Sequence, residues 1–440
     1  MDPTWMLILL FICLFAALFA GVPVAFGLGA VSLLFVLVLW GPNGLYVTIA
    51  SMLDVGMTET YIAIPMFLLL AFSLQISGIS DDLYETVYYW LGPLNGGLAM
   101  GTIFICALFS AMCGGSGQTV LTMGLIAMPS MLKRGYDRKL VMGTIMAGGI
   151  LGIVIPPSIP MIMMGVLGQE SVGKLYFGGI VPGFFCVIMY VIYIGVRCWI
   201  NPSLGPAVPP EERIGWLQKV KLLKSVIAPV LLILSILGVM YTGVCTATEA
   251  SAVGCFGAML CVIIRGKFNW AFLATSLQKT LQVSVMVAWI MIAAGCFTNV
   301  FTYLGGADLI ASAAVNMPGG RWAVTAAFMV GILIMGCIMD DYALIIICTP
   351  IFFPIMKLLG VDTVWFGIIF VLSIQVAYLT PPYGFNLFYM RALTPKSVTM
   401  GEIWLSAVPF VGIQVIALVL VMIFPELATW LPSTLIKVHH

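Results

Sequence analysis

Two double prolines, Pro156-Pro157 and Pro381-Pro382, each interrupt a long apolar run, and they stand 225 residues apart in a chain of 440. Proline inside a helix removes a backbone hydrogen bond and clashes with the preceding turn, so a pair of them ends one helix and begins another. In apolar surroundings the freed backbone groups are tolerated only where protein or a water-filled cavity satisfies them. The same shift of 225 sets Pro93 on Pro318, Pro129 on Pro354, Met131 on Met356, Gly135 on Gly360 and Asp137 on Asp362. Every proline of the first window therefore meets a proline, where a background of about 5% would give well under one such pair. Residues 93–157 and 318–382 read as two copies of one unit.

Each copy runs through an apolar stretch, a tip, a second apolar stretch, a short polar loop and then the broken helix. The tip is CGGSG (Cys113–Gly117) in the first copy and IMDDY (Ile338–Tyr342) in the second. The stretches flanking each tip, about 15 residues long, fall short of the ~20 that a membrane span needs, which predicts two re-entrant hairpins. Two ordinary close-packed spans joined by a glycine turn are the alternative. The chain is 62% hydrophobic and 8% charged, with a mean hydropathy of +1.15, the composition of an all-α polytopic membrane protein. A net charge of +1 gives no footprint for nucleic acid.

Candidate spans fall at about 5–20, 22–40 and 60–78, followed by an amphipathic segment at 81–92. The first hairpin (96–131) and first broken helix (139–166) lead to a span at 175–197 and a polar connector, Asn201–Lys224. Spans at 225–242, 246–264 and 281–300 and a short segment at 301–317 precede the second hairpin (320–353), the second broken helix (363–392) and a last span (403–424). This order predicts N-terminal scaffold helices in 1–92, a first core repeat in 93–166 and scaffold in 167–317. A second core repeat at 318–392 and a C-terminal scaffold helix and tail at 393–440 complete it. The loop after the first hairpin holds Lys133, Arg134, Arg138 and Lys139, whereas its counterpart holds only Lys357. Positive residues favour the cytoplasm, so the copies are expected to be inverted, with the site near the midplane at their interface. In this layout four of the 18 Lys and Arg (Lys174, Arg321, Lys357, Lys437) lie outside and fourteen inside, with both termini outside. Residues 1–20 lack a basic leader, so Met6–Ala20 is expected to be a retained span. The 11 cysteines lie mostly within apolar runs and read as small hydrophobes.

No catalytic constellation emerges. The only histidines are His439 and His440, which removes most Ser-His, Cys-His and His-ligated metal arrangements. Asp340 and Asp341 are neighbours pointing about 100° apart on a helix, a poor fit to a hydrolase needing facing aspartates. A hairpin tip and a broken helix suit transport better, because free carbonyls can hold Na⁺ and free amides a carboxylate. Gly114, Gly115 and Gly117 permit close approach, or serve simply as helix-packing glycines. Ser116 and Thr119 add hydroxyl ligands, and Asp340 completes an ion site or bonds substrate. Asn386 and Gly384 follow the second break. Arg391 is a possible anion partner, with snorkelling to headgroups as the competing role. Asp81, Asp82 and Glu85 read as a solvated face, Glu249 as structural and Met161–Met164 as packing.

The same residues carry a family resemblance. AGGILGIVIPPSIPMIMMGVLGQESVGKLYFGGIVPG (147–183) resembles the signature of the large membrane subunit of TRAP transporters, the DctM type. AIPMFLLL (63–70), FSAMCGGSG (109–117), TATEASAVG (246–254), GCIMDD (336–341) and LTPPYGFNLF (379–388) continue it along the chain. The resemblance implies a Na⁺-driven importer of organic anions, carboxylates or sulfonates, in the bacterial inner membrane, without an organic cofactor. It implies two partners, a small four-helix membrane subunit (DctQ type) and a periplasmic substrate-binding protein (DctP type). An elevator motion of the hairpin core against a scaffold is implied as well. The family's first ion site falls on Cys113, Gly114 and Ser116 with backbone near Gly336, its second on Thr380 and Gly384. Its GxxxD aspartate falls on Asp340, which with Asp341, Ser116, Asn386 and Arg391 makes up the candidate substrate set. Two positions depart from the pattern: Cys113-Gly114-Gly115-Ser116 replaces SGSS, leaving an ion there more dependent on carbonyls, and Asp341 stands where a neutral residue is usual. The TPPYGFNLFYMRAL ending resembles a branch handling varied oxo, hydroxy or sulfonic acids. A standalone ion-coupled carrier of the same architecture and an intramembrane hydrolase using Asp340 remain the alternatives.

Overall fold

The computed structural model describes residues 3–113, 115–381 and 384–435, and its regular structure there is helical. The first helices are α1 (Pro3–Phe19), α2 (Val24–Trp40), α3 (Leu45–Met57), α4 (Ala63–Ile76) and the amphipathic α5 (Ile79–Leu91). The first repeat comprises α6 (Gly97–Cys113), α7 (Ser116–Lys133), α8 (Arg138–Val154) and α9 (Ile159–Leu167). Next come α10 (Val172–Ile200), α11 (Trp216–Leu222), α12 (Lys224–Tyr241), α13 (Ala247–Ile264), α14 (Trp270–Tyr303) and α15 (Gly306–Val315). The second repeat is α16 (Gly320–Gly336), α17 (Asp341–Leu358), α18 (Thr363–Leu379) and α19 (Phe385–Leu393), followed by α20 (Met400–Ile423) and α21 (Glu426–Leu435). Among the described residues nine helical segments are long and apolar enough to cross a membrane.

The repeat seen in the sequence returns in the helix ends. Both ends of α7 and α17 differ by 225, and so do both ends of α8 and α18. The matched glycines and aspartates explain this coincidence. Gly135 and Gly360 adopt left-handed φ values of 77° and 68° where α7 and α17 end, a conformation that costs glycine little. Asp137 and Asp362 cap the following helices, accepting from the Leu140 and Trp365 amides at 2.9 Å each. Replacing either carboxylate leaves an N-terminal amide unpaired. We expect Asp137→Ala and Asp362→Ala each to cost about 1 kcal/mol, read as a lower unfolding midpoint in detergent.

The two broken helices form the centre. Every residue of α18 is buried, as is every residue of α8 from Leu140 onward. A chain of amides crosses this centre: Tyr190 Oη donates to Gln414 Oε1 (2.7 Å), Gln414 Nε2 to Gln375 Oε1 (2.5 Å), and Gln375 Nε2 to the Ile150 carbonyl (2.7 Å). It joins α10, α20, α18 and α8. Ile150 and Gln375 are equivalent positions of the two copies, so the copies touch at like residues. Helices α10, α20 and α21 pack onto the broken helices, while α2, α3 and α4 gather around α14 and α13 packs on α4.

Three features differ from expectation. Helix α3 was not expected, because Ser51, Asp54 and Gly56 interrupt its apolar pattern. α14 has 34 residues rather than a span at 281–300, because the helix opens at the Asn269 cap and runs unbroken through the polar stretch Thr275–Thr280 into that span. α21 was also unexpected. The connector folds back onto the first hairpin: Gly96 N donates to Gly205 O (2.7 Å), Asp137 N to Leu204 O (2.9 Å) and Val208 N to Gly92 O (2.8 Å). Glu212 on the connector pairs with Arg134 at 3.3 Å and accepts from Tyr88 Oη. Asp82, expected on a solvated face, pairs with Arg265 and so ties α5 to the loop after α13. Glu249 is structural as expected, forming a capping box with Thr246.

Candidate functional site

The first tip lies between the ends of α6 and α7. Gly114 lies outside the described residues, and Cys113 is described only as the last residue of α6. Ser116 opens α7 and is buried; its Oγ donates to Asn386 Oδ1 at 2.7 Å, and Asn386 Nδ2 donates to the Met146 carbonyl at 3.0 Å. One amide side chain thus joins the first tip, the first broken helix and the half-helix after the second break. Behind it, Ser110 Oγ donates to Thr119 Oγ1 (3.2 Å), which donates to the Gly115 carbonyl (3.1 Å). Thr119 therefore steadies the tip backbone. Gly117 has no room for a side chain, since a Cβ there would lie 2.6 Å from the Tyr389 ring. Gln118 Oε1 is buried without a hydrogen bond among the described residues, an oxygen left over beside the tip.

The second tip turns through Cys337–Met339 between α16 and Asp340, the N-cap of α17. Asp341 is buried; its amide donates to Tyr378 Oη at 2.6 Å, and its Oδ1 accepts from the Tyr342 amide at 3.0 Å. Tyr378 lies in the last turn of α18, so the tip leans on the second broken helix. Gly336 enforces the same approach, for a Cβ there would come within 2.8 Å of the Ala377 Cβ. The two tips meet: a Cβ on Gly115 would lie 3.8 Å from Tyr342 Oη.

Pro382 and Tyr383 lie outside the described residues; Thr380 and Gly384 flank the second break. Thr380 Oγ1 donates to the Val376 carbonyl (2.7 Å), and the Gly384 amide donates to the Thr380 carbonyl (3.1 Å). A Cβ at Gly384 would sit 2.5 Å from the Tyr378 carbonyl and 3.0 Å from that of Thr380. Two carbonyls converge there, and only glycine fits. Neutral oxygens converging in this way suit a hard cation. At the first break Ser158 Oγ donates to the Ile153 carbonyl (2.7 Å) and Tyr176 Oη to the Ser158 carbonyl (3.3 Å), so side-chain hydroxyls occupy these two carbonyls.

Of the expected residues, Ser116, Thr119 and Asn386 come together at the first tip, Gly336, Asp340 and Asp341 at the second, and Thr380 with Gly384 at the break. Arg391 does not join them: its guanidinium donates to the carbonyls of Val398 and of Pro395, in the loop beyond α19. Tyr378, Gln375, Gln414 and the Met146 carbonyl were not anticipated. The glutamines carried a signal, an amide inside an apolar run; the carbonyl carried none.

Beside the second tip a cavity of about 860 Å³ separates it from the turn joining α1 and α2 and from one face of α14. Asp340, half-buried, and Gln282 are its polar side chains; Phe19, Phe26, Trp289, Phe385 and Phe388 line much of the rest.

A helical chain with repeated broken helices at its centre and two tips meeting beside a cavity is an integral membrane transport protein. The chain belongs to the family described as "Tripartite ATP-independent periplasmic transporter, DctM component", which matches residues 11–427. It is 30% identical to the C4-dicarboxylate TRAP transporter large permease protein DctM of Vibrio cholerae, over 97% of each chain. It is 31% identical to the isethionate TRAP transporter permease protein DctMQ of Oleidesulfovibrio alaskensis, over 84% of this chain and 58% of that one. In fold it is similar to the YdaH transporter of Alcanivorax borkumensis, with a TM-score of 0.65 at 14% identity over 99% of each chain.

Proposed function

We propose that the chain is the permease subunit of a Na⁺-coupled importer of organic anions in the bacterial inner membrane, fed by a periplasmic binding protein and assembled with a small four-helix subunit. The carrying observation is the pair of oxygen-rich spots, one around Ser116 and Thr119 and one where the Tyr378 and Thr380 carbonyls meet at Gly384. Each suits Na⁺, and both adjoin the meeting tips, so ion and substrate binding would stabilise one another. Contact between the equivalent residues Ile150 and Gln375 supports a two-fold, inverted relation of the repeats. We assign α6–α10 and α16–α21 to a core moving as an elevator, because α10, α20 and α21 pack on the broken helices. This extends the core beyond 93–166 and 318–392. The remaining helices would be scaffold.

Reconstitution in proteoliposomes with the two partners tests the reading. Uptake should require an inward Na⁺ gradient, and equal rates in K⁺ would overturn it. Ser116→Ala removes one oxygen and frees Asn386, so the Na⁺ concentration for half-maximal uptake should rise about tenfold. Concentrative Na⁺-driven uptake without any binding protein would instead favour a standalone carrier.

A further inference from the structure

We propose that the substrate is an organic acid with one anionic group, an apolar body and a hydrogen-bond donor, such as a 2-hydroxy acid with an aromatic side chain, and not a small dicarboxylate. This rests on the permease reading and concerns what its cavity accepts.

The argument is one of charge and surface. At about 860 Å³ the cavity is large for a four-carbon diacid, and its walls are mainly aromatic and aliphatic. Among its described lining residues Asp340 alone carries a formal charge, and that charge is negative. A carboxylate moved from water to an apolar wall loses hydration and must be paired to be tolerated. One carboxylate can face the Na⁺ proposed at the tips, but the second carboxylate of a diacid would find Asp340 and no cation among the described lining residues. Three cations of the two repeats are engaged away from the cavity: Arg391 with Val398, Arg134 with Glu212 beyond the far end of α7, and Lys357, at the far end of α17, with the Gly168 and Gln169 carbonyls at 3.1 and 3.3 Å. Asp340 instead offers an acceptor to a hydroxyl or amine, and the aromatic walls bury the body of the acid. Gln282, on α14, can accept or donate from the opposite wall.

The test uses the purified full-length chain in detergent containing Na⁺, with ligand affinity read from the shift of the unfolding temperature. Phenyllactate should stabilise the protein, whereas succinate and fumarate at equal concentration should not. Asp340→Asn keeps the shape but loses the charge of the acceptor, and phenyllactate affinity should fall about tenfold or more. Met286→Trp narrows the α14 wall away from the tips and should weaken phenyllactate while leaving stabilisation by Na⁺ alone unchanged. Stabilisation by succinate or fumarate overturns the proposal, as does unaltered phenyllactate affinity in Asp340→Asn. Failure of every acid to bind overturns it too, and stabilisation by Na⁺ alone then decides separately whether ion coupling survives.

Discussion

Asn386→Leu is expected to abolish transport and to lower the unfolding free energy by about 2–4 kcal/mol, the cost of two buried groups losing their partner. Asn386 is fully buried, accepts from Ser116 and donates to the Met146 carbonyl. Leucine is of similar bulk, so the loss is electrostatic rather than a cavity. It strands the Ser116 hydroxyl at the first tip and a carbonyl of α8 that Asn386 had satisfied. Asn386→Asp separates the two halves of the effect. It keeps the acceptor for Ser116 but places a carboxylate against the Met146 carbonyl, so stability should fall while the tip stays anchored. Unfolding midpoints and Na⁺-dependent uptake, measured on both variants, check this. Wild-type uptake by Asn386→Leu would remove the residue from the site.

Gly152→Val is expected to be comparably severe, through sterics. A Cβ on Gly152 would stand 2.8 Å from Ser110 Cβ and 3.3 Å from its Cα, so α6 would have to move bodily away from α8. Overpacking of this kind typically costs 1–3 kcal/mol, and backbone has less freedom to yield than a side chain, so about 3 kcal/mol is expected. The shift also breaks the relay from Ser110 through Thr119 to the Gly115 carbonyl. Gly331, in α16, is the control: nothing lies within 4 Å of its would-be Cβ. Gly331→Ala should therefore stabilise by roughly 0.5–1 kcal/mol, since alanine is the better helix former. Thermal unfolding of the two variants in detergent, moving in opposite directions, would separate packing glycines from incidental ones.

Those two glycines illustrate what a one-dimensional reading can and cannot reach. Proline positions, the Gly135/Gly360 pair and the Asp137/Asp362 pair were legible because they act locally: each sets a helix end within a few residues of itself. Gln375 and Gln414 were legible in principle, as amides stranded in apolar runs, yet their partners depend on which helix faces meet. The role of the Met146 carbonyl was not legible at all, because every residue has a carbonyl and only packing selects one. The same limit hides the cavity, whose walls come from residues as far apart as Phe26, Trp289 and Phe388. Arg391 shows the opposite failing. Its charge and place after the break drew attention to it, but six residues past the start of α19 it reaches the Pro395–Val398 loop rather than the tips.

The connector carries a mechanical consequence. Its first part, through Val208, is stitched to the base of the first hairpin by three backbone hydrogen bonds, and Glu212 bridges Arg134 beyond the end of α7 and Tyr88 on α5. Its last part, α11, is fixed to α5: Trp90 Nε1 donates to the Lys219 carbonyl and Thr86 Oγ1 to that of Leu222, each at 3.0 Å. Only Arg213–Gly215 separates these two anchorages. Three extended residues reach about 10 Å. Were the first hairpin to travel across the bilayer, this short leash and the Glu212 bridge from Arg134 to Tyr88 on α5 would both resist, and a long stroke would have to drag α5 along or break these ties.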